Sequence, residues 1–539
     1  MTIPNEITDA WRAVLQRRLW PILILVLLWL AALIPYISRH GVPLPAIHDE
    51  FSYLLAGETF ASGRLTNEPP PVQEAFQSFH ILVEPTYMSK YLPGIGLQLA
   101  LGFLLGHPII GVWLTVLACA IAAFWMVEGF ASRAWALFGG LLCLFQYGLN
   151  TYFAHSYWGG SLFMLAGFLV TGAFLRLLRN PAPAPSLYLG IGAGIMVLTR
   201  PVEGFFFAGT LVAVLLIRLL RAEDRLPTRQ LQAILVPASL VGLSFLLFLS
   251  LQNRAVTGNP LRLPYVEYRA QYPTTTTFSW QAIDEDKADR MPEEFKLLAA
   301  QNARNRPEGF GENLRNAIFL FGNWIDFYIP MIWIIPVGVF LFTRRPLTDP
   351  LACSLWILIL VKFTFPFFFK SAHHYHYFAA WAAPLLAAGI EGLRWLRQHK
   401  TGGEGRSFLL PSFIFATALF TAHGYLQFLT EKYGDSPFPF RAFGAARQNL
   451  QNHLVHGPGH EGVPDLVIVD YGPKHNPNLE WVYNPADWQD AHVLWARSIN
   501  EEVDASLLEE FPHRKVWRMR SNGSFKPESM DLIREPVDH

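Results

Sequence analysis

The sequence is poor in charge and in cysteine. Charged residues make up only 16% of the 539 residues, against about a quarter in an average soluble domain. The net charge is zero and no basic block occurs, so nucleic acid is excluded as an expected partner. The few cysteines lie in apolar segments and form neither a disulfide framework nor a metal-binding spacing. They are Cys119, Cys143 and Cys353.

Two further signatures are missing. No G-x-x-x-x-G-K-S/T sequence occurs, so the chain has no nucleotide-motor loop. No internal repeat or low-complexity tract is visible either. Paired repeats are common in secondary transporters, so their absence weakens the interpretation of this chain as a transporter.

Apolar residues dominate instead. They make up 52% of the chain, with 42 phenylalanines and 17 tryptophans, and they form many runs of about 20 residues, the length that crosses a bilayer. We predict an α-helical polytopic membrane protein with about 11 transmembrane helices. The predicted spans are Trp20–Ile37, Ile109–Phe130, Ala134–Leu149, Trp158–Leu178, Leu187–Leu198, Phe205–Leu220, Leu231–Leu251, Phe319–Phe342, Leu351–Phe369, Tyr377–Trp395 and Phe408–Phe428.

Basic residues orient these spans. Arg12, Arg17 and Arg18 precede the first span, and later Arg and Lys clusters fall on the same side almost throughout. The positive-inside rule therefore places the N-terminus in the cytoplasm. The first span has no small-residue cleavage site, so it is predicted to stay in place as a membrane helix. The expected location is the cytoplasmic (inner) membrane.

The hydropathy pattern divides the chain into two domains. Residues 1–428 form the predicted transmembrane domain, with external loops at 39–107 and 252–315. Parity requires that Ile95–Leu105 does not cross, so it is predicted to lie on the outer face. Residues 429–539 are predicted to form a small α/β extracytoplasmic domain, because three β-rich runs flank a helical stretch. The runs are Asp465–Asp470, Ala491–Trp495 and Lys515–Met519.

The first external loop opens with two adjacent acids. Asp49 and Glu50 follow His48 and begin a predicted helix, Asp49–Ser62, with Gly63 after its end. One interpretation is structural: Asp49 caps the helix and Glu50 complements its dipole. Placing ionisable groups at a membrane costs free energy, so such groups are more often functional than structural. We predict that Asp49 is catalytic and that Glu50 supports it.

Cations are predicted on the same face. Lys90 precedes Pro93-Gly94, and Arg200 lies in Leu198-Thr199-Arg200-Pro201 between two short spans. These two residues and His376 are predicted to hold a phosphate. A snorkelling role for Arg200 and a lipid-headgroup contact for Lys90 are the structural alternatives.

Aromatic and histidine side chains complete the predicted site. Tyr265 lies in the second external loop, where an aromatic face can stack on a sugar ring or pack on lipid. The cluster His373–Tyr377 lacks the spacing and acidic partner of a metal site, so no metal ligand and no cofactor are assigned; a divalent metal is compatible but unsupported by spacing. The predicted substrate contacts are His48, Tyr53, Tyr91, His155, Tyr265 and Tyr377.

Acids and cations together at a lipid boundary fit a lipid-linked phosphosugar. The cations would hold the phosphate, which is also the leaving group. One carboxylate, Asp49, would take the proton of the acceptor hydroxyl as it attacks the sugar's anomeric carbon. Attack from the face opposite the phosphate inverts the configuration.

This arrangement resembles the GT-C superfamily of integral-membrane glycosyltransferases. It is most similar to the bacterial branch that resembles protein O-mannosyltransferases and lipid A aminoarabinose transferases. The resemblance is carried by Asp49-Glu50 with the helix to Gly63, by Lys90 before Pro93-Gly94, by Leu198-Thr199-Arg200-Pro201, and loosely by His376-Tyr377 with Pro384. It covers roughly residues 10–430.

The resemblance implies a GT-C fold and an inverting hexosyl- or pentosyltransferase that uses a polyprenyl-phosphate sugar at the outer membrane face. Asp49 would be the base, and Lys90 and Arg200 would contact the donor phosphate. Two positions depart from the family pattern. Ser156 occupies the place of a second Asp, and His376 that of a late Arg.

Two other classes remain open from the residues alone. A transporter or flippase of a lipid-linked or anionic solute is the main alternative, although it would call for ionisable groups deep inside spans. A non-catalytic scaffold with a sugar-binding external domain is the other. The acceptor, whether lipid, glycan or protein, is not indicated by any motif.

Overall fold

The computed structural model describes residues 17–221, 227–304, 307, 309–329, 331–370, 374–398, 409–430, 441–457 and 462–536. Most of these residues are helical. Among them, five helices are long and apolar enough to cross a membrane by length and composition. They are α1 (Leu19–His40), α4 (Pro108–Glu128), α8 (Pro201–Leu220), α9 (Thr228–Thr257) and α15 (Pro350–Phe368), named in chain order with the helices given below.

Further helices fill the remaining predicted spans and the two predicted external loops. The bounds are α2 His48–Ala61, α3 Pro93–Leu104, α5 Arg133–Leu142, α6 Ser161–Leu177, α7 Pro183–Thr199, α10 Pro264–Gln271, α11 Glu285–Ala288, α12 Glu293–Arg304, α13 Gly309–Tyr328, α14 Ile334–Thr343, α16 Ala382–Gln398 and α17 Leu409–Thr430.

A break at residues 105–107 separates the short helix α3 from α4. Helix α3 ends at Leu104 and α4 begins at Pro108, where His107 accepts a hydrogen bond from the Ile109 N–H. Twelve residues of helix span about 18 Å, too little for the roughly 30 Å of a hydrocarbon core. The two helices approach closely, because a Cβ at Gly111 would lie 1.9 Å from the carbonyl oxygen of Gln98.

Two predicted spans begin or break elsewhere. The span predicted at 319–342 is interrupted: α13 already begins at Gly309, inside the predicted loop 252–315, and the helix restarts at Ile334. The sequence places a proline directly after Ile329, and the residue before proline disfavours the α conformation. The span predicted from Trp158 begins at Ser161, because Gly159 and Gly160 have φ of 89° and 111°, values that favour glycine.

The C-terminal residues form a small α/β unit, which confirms the predicted fold class. Its sheet has the order β4-β3-β5-β6; the first three strands are parallel and β6 is antiparallel. The sequence analysis missed β6, whose side chains are mostly exposed at the sheet edge. The bounds are α18 Arg441–His456, β3 Asp465–Tyr471, β4 Val493–Arg497, α19 Glu501–Glu510, β5 Lys515–Ser521 and β6 Ser529–Arg534; β1 (Ile81–Leu82) and β2 (Met88–Ser89) form a hairpin in the first loop.

A buried arginine fastens this unit to the two predicted external loops. Arg497 lies 2.8 Å from the Glu294 carboxylate on α12 and 2.9 Å from that of Glu480, and it donates to the carbonyl of Gln77 at 3.3 Å. A buried arginine needs such partners because removing its charge from water is costly. The C-terminal unit thereby holds α12 in place.

Glu58 forms a second contact between the two parts. Its carboxylate accepts the N–H of Ala486 at 2.9 Å and lies 3.5 Å from the hydroxyl of Tyr483. These contacts give Glu58 a structural role. Burial raises the pKa of this carboxyl from 4.5 to about 7, although both hydrogen bonds oppose the shift.

We expect Glu58 to make the folded protein less stable as the pH rises from about 4.5 to 7. Below 4.5 the group is protonated in both states; across this window the unfolded chain releases the proton while the folded chain retains it. The contribution amounts to at most about 3 kcal/mol. Thermal unfolding in detergent should therefore show a smaller fall between pH 5 and pH 8 for Glu58→Gln than for the wild type.

The exposed acid Glu74 serves as the matched control. Glu74→Gln is expected to keep the wild-type pH dependence. An equal fall in wild type and Glu58→Gln would contradict the assignment.

Candidate active site

One large cavity opens where the two predicted external loops meet the apolar helices. Its volume is about 1510 Å³, and its lining comes from the first loop, the α7–α8 junction, the second loop and the segment before α16. All the predicted site residues line it. They are His48, Asp49, Glu50, Tyr53, Lys90, Tyr91, His155, Arg200, Tyr265, His376 and Tyr377. The structure thus brings them together, while their individual roles stay predictions.

Glu50, not Asp49, completes the start of α2. The helix begins at His48, and Glu50 Oε2 accepts the N–H groups of Ala46 at 2.8 Å and Ile47 at 3.3 Å. Its Oε1 accepts the N–H of Tyr157 at 2.8 Å. The structural alternative, in which Asp49 caps this helix, is therefore wrong, because the side chain of Glu50, one residue further on, reaches back to the free N–H groups. Glu50 ties the first loop to the segment before α6.

The carboxylate of Asp49 contacts other side chains. Its Oδ1 accepts a hydrogen bond from the Tyr91 hydroxyl. Its Oδ2 lies 2.9 Å from Nδ1 of His48 and 3.8 Å from Nε2 of His80. Burial alone would raise the pKa of Asp49, but His80, His48 and the Tyr91 hydrogen bond outweigh it and hold that pKa well below its usual range. The group is thus a carboxylate at neutral pH.

His80 is a site residue that the sequence analysis missed. The β1–β2 hairpin carries it to α2: its N–H donates to the Tyr268 hydroxyl at 3.0 Å, and its carbonyl accepts from Ser52 Oγ at 2.6 Å and from the Lys90 N–H at 3.0 Å. Burial lowers the pKa of its imidazole well below the usual value. His80 stands 31 positions after Asp49, too far along the chain for spacing to relate them.

Lys90 lies in an aromatic cage. Its Nζ is 5.1, 4.9 and 4.7 Å from the ring centres of Tyr91, Tyr265 and Tyr268. The side chain is buried at 4% exposure. Burial lowers the pKa of Lys90 to about 7, and the attraction of Asp49 offsets this only in part. An anion bound in the cavity would therefore stabilise the charged ammonium form of Lys90.

Two arginines face the same cavity from other elements. Arg200 joins α7 to α8; its guanidinium carbon lies 3.8 Å from the ring centre of Tyr377 and its Nη1 3.9 Å from Glu203. Arg269, on α10, stacks at 4.6 Å on Tyr265. The sequence analysis did not select Arg269, although its helical position four residues after Tyr265 placed both on one face.

Two of the three selected histidines, His155 and His376, are held by neighbouring groups. His376 is buried, and its Nδ1 lies 2.8 Å from the Tyr152 hydroxyl. The cluster predicted around it begins at His373, which lies outside the described residues. The Nε2 of His155 lies 2.7 Å from the carbonyl oxygen of Leu149, and its ring is 4.0 Å from that of Tyr36. Both therefore shape the cavity wall.

The Asp49 carboxylate shares the cavity with several cationic side chains and with tyrosines. Tyr53 stacks on Tyr91 with ring centres 4.4 Å apart. Cations hold phosphate oxygens, and aromatic faces hold the apolar face of a sugar or prenyl chain. The arrangement can therefore accommodate a ligand that is both anionic and partly apolar.

Comparison of folds identifies the class of structure. The chain matches the oligosaccharyltransferase of Archaeoglobus fulgidus in its complex with Zn and sulfate, with a TM-score of 0.51 and 12% identity over 92% of this chain and 67% of that one. Its apo form matches with a TM-score of 0.50 and 13% identity over 94% and 70%. The chain therefore has the fold of GT-C membrane glycosyltransferases, which confirms the predicted fold class.

A further match is ArnT from Cupriavidus metallidurans bound to undecaprenyl phosphate. Its TM-score is 0.48, with 14% identity over 92% of this chain and 93% of that one. No protein-family model matches the chain, and the comparison with curated proteins finds no match.

Proposed function

We propose that this protein transfers a sugar from a polyprenyl-phosphate donor to a hydroxyl acceptor at the outer face of a bacterial cytoplasmic membrane, with inversion. The observation that carries the proposal is the single cavity in which ionised Asp49 shares the lining with Lys90, Arg200 and Arg269. The GT-C fold, shared with an oligosaccharyltransferase, supports glycosyl transfer as the chemistry.

The donor phosphate would bind among the cations. Lys90, Arg200 and Arg269 stand on three separate elements, so they can surround a phosphate rather than meet it from one side. Their stacking on tyrosines limits their freedom before the ligand arrives. In the reaction the bond from the anomeric carbon to the phosphate oxygen breaks. These cations would stabilise the negative charge that develops on the leaving phosphate.

Asp49 would take the proton of the acceptor. As the acceptor oxygen bonds to the anomeric carbon, its O–H becomes acidic, so a carboxylate of low pKa suffices once bond formation is advanced. The Tyr91 hydroxyl and His48 orient the carboxylate from two sides. Tyr53 and Tyr377 would line the sugar and prenyl path, and the N-terminus would lie in the cytoplasm with the C-terminal unit outside.

Transfer and transport differ in whether the donor is cleaved. Purified protein in vesicles would be given a polyprenyl-phosphate donor with labelled sugar, together with extracted envelope acceptors. We expect labelled product and one free polyprenyl phosphate for each sugar moved. Movement of intact labelled donor across the bilayer, without cleavage, would overturn the proposal and favour the flippase.

A further inference from the structure

A second, much smaller cavity adjoins the aromatic cage of Lys90. Its volume is about 10 Å³, and Lys90, Arg269, Thr274 and Thr275 contribute to its lining. Tyrosine side chains complete the wall. A cavity of this volume holds one particle about the size of a water molecule. A phosphate group, with four oxygens around its central atom, is too large for it.

Two positive charges line this small cavity without a carboxylate beside them. The Lys90 ammonium and the Arg269 guanidinium lie 4.9 and 4.6 Å from the centre of the same ring, that of Tyr265. Within the described residues, neither forms an ion pair with an acid. Burial lowers the pKa of Lys90 to about 7; the charge of Arg269 adds to this shift, whereas Asp49 opposes it. A buried charge without a counter-charge costs free energy, so these two cations favour an anion.

Several hydrogen-bond donors of the lining are also unused. Arg269 donates from Nη1 to the Thr277 hydroxyl, whereas its Nε is buried and has no hydrogen bond. The Thr274 side chain is buried, and in the part of the chain that the structure describes its hydroxyl makes no hydrogen bond. Lys90 contacts ring faces, which are not oxygen acceptors for its ammonium. Burying such donors without an acceptor is costly.

We propose that Lys90, Arg269 and Thr274 form a binding site for one monatomic anion of the halide class, with chloride as the natural ligand. The two cations supply the charge, and the threonine hydroxyl supplies a neutral donor. A water molecule would fill the same volume, but it would leave both charges uncompensated. The size of the cavity selects a single-atom anion over an oxyanion.

The halide site goes beyond the proposed function. The donor phosphate would bind in the large cavity, which Lys90 and Arg269 also line, and the halide in the small one. An ammonium has three N–H donors and a guanidinium five, so each side chain can serve two anions. A resident halide would stabilise the charged form of Lys90. Halide binding is measured without any donor, so its result does not depend on sugar transfer.

Chloride binding tests the site directly. Purified protein in sodium gluconate would be dialysed against radioactive chloride at constant ionic strength. We expect one bound chloride per chain, which bromide displaces and the larger gluconate does not. Arg269→Gln and Thr274→Val should each weaken binding by about 10-fold or more, because each removes a hydrogen bond to a charged group. Absence of stoichiometric chloride, or wild-type affinity in either variant, would overturn the proposal.

Arg262→Gln is the matched control. It makes the same replacement at an arginine that lies 2.7 Å from Glu267 and lines neither cavity. It should bind chloride as the wild type does. Crystals of the wild type grown with bromide need no variant: they should show one anomalous scatterer between Lys90 and Arg269. A water molecule at that position, or bromide only elsewhere, would contradict the site.

Discussion

Replacing Asp49 by asparagine is expected to slow sugar transfer by about 10²–10⁴-fold, the range that a positioned base contributes. Asparagine keeps the size of the side chain and an oxygen for the Tyr91 hydroxyl, but it cannot take a proton. The donor phosphate would still bind, because Lys90 and Arg200 remain. The turnover rate should therefore fall much more than the affinity for the donor, as measured with labelled donor in vesicles.

The matched control for this change is Asp487→Asn, the same replacement at an exposed acid in the C-terminal unit that does not line the cavity. It should retain the wild-type rate. Transfer by Asp49→Asn within a few-fold of wild type would remove Asp49 as the base. A fall in folded protein rather than in rate per folded protein would assign it a structural role instead.

Replacing Arg200 by alanine is expected to lower turnover by about 10²–10³-fold, the loss seen when one charge-stabilising donor is removed from a reaction centre. Its guanidinium stacks on Tyr377 and is paired only loosely, at 3.9 Å, with Glu203. N–H groups of the guanidinium therefore remain available to a ligand. Binding should also lose its preference for polyprenyl phosphate over the unphosphorylated alcohol, which native mass spectrometry can measure.

Two further variants make this result specific. Arg200→Lys keeps the charge but not the planar fork, and it should recover part of the activity. Arg262→Ala removes an arginine of the second loop that is bound to Glu267 at 2.7 Å and does not line the cavity. It should behave as the wild type. Unchanged phosphate preference in Arg200→Ala would contradict the phosphate role.

Local patterns in the sequence predicted the architecture well. Apolar runs of membrane length and a repeated cation bias indicated the helices, and the β-rich runs indicated three of the four C-terminal strands. Gly63 follows α2 with φ of 77°, as its predicted position after the helix end requires. These features depend on neighbours within a few residues, which a sequence displays directly.

What the sequence did not reveal depends on distant partners. Glu50 and Asp49 are adjacent acids, and only the fold shows that Glu50 binds the N–H groups of Ala46 and Tyr157 while Asp49 faces the cavity. His80 reaches Asp49 through a hairpin. The edge strand β6 lacks the apolar alternation that marks a buried strand.

The cavity wall also depends on the C-terminal unit. Arg497 fixes Glu294 on α12, and the same helix presents Leu298 and Gln301 to the cavity. No pattern around Arg497 indicates a partner some 200 positions earlier. This contact gives the C-terminal unit a physical connection to the site, since moving α12 would change the cavity.

The lipid-linked sugars of living cells test the central claim most directly. Lipid extracts would be compared by mass spectrometry from cells with wild-type protein, without it, and with Asp49→Asn at equal protein level. We predict that one polyprenyl-phosphate sugar accumulates without the protein and to the same extent in Asp49→Asn. An unchanged lipid-linked sugar pool in both strains would contradict the account.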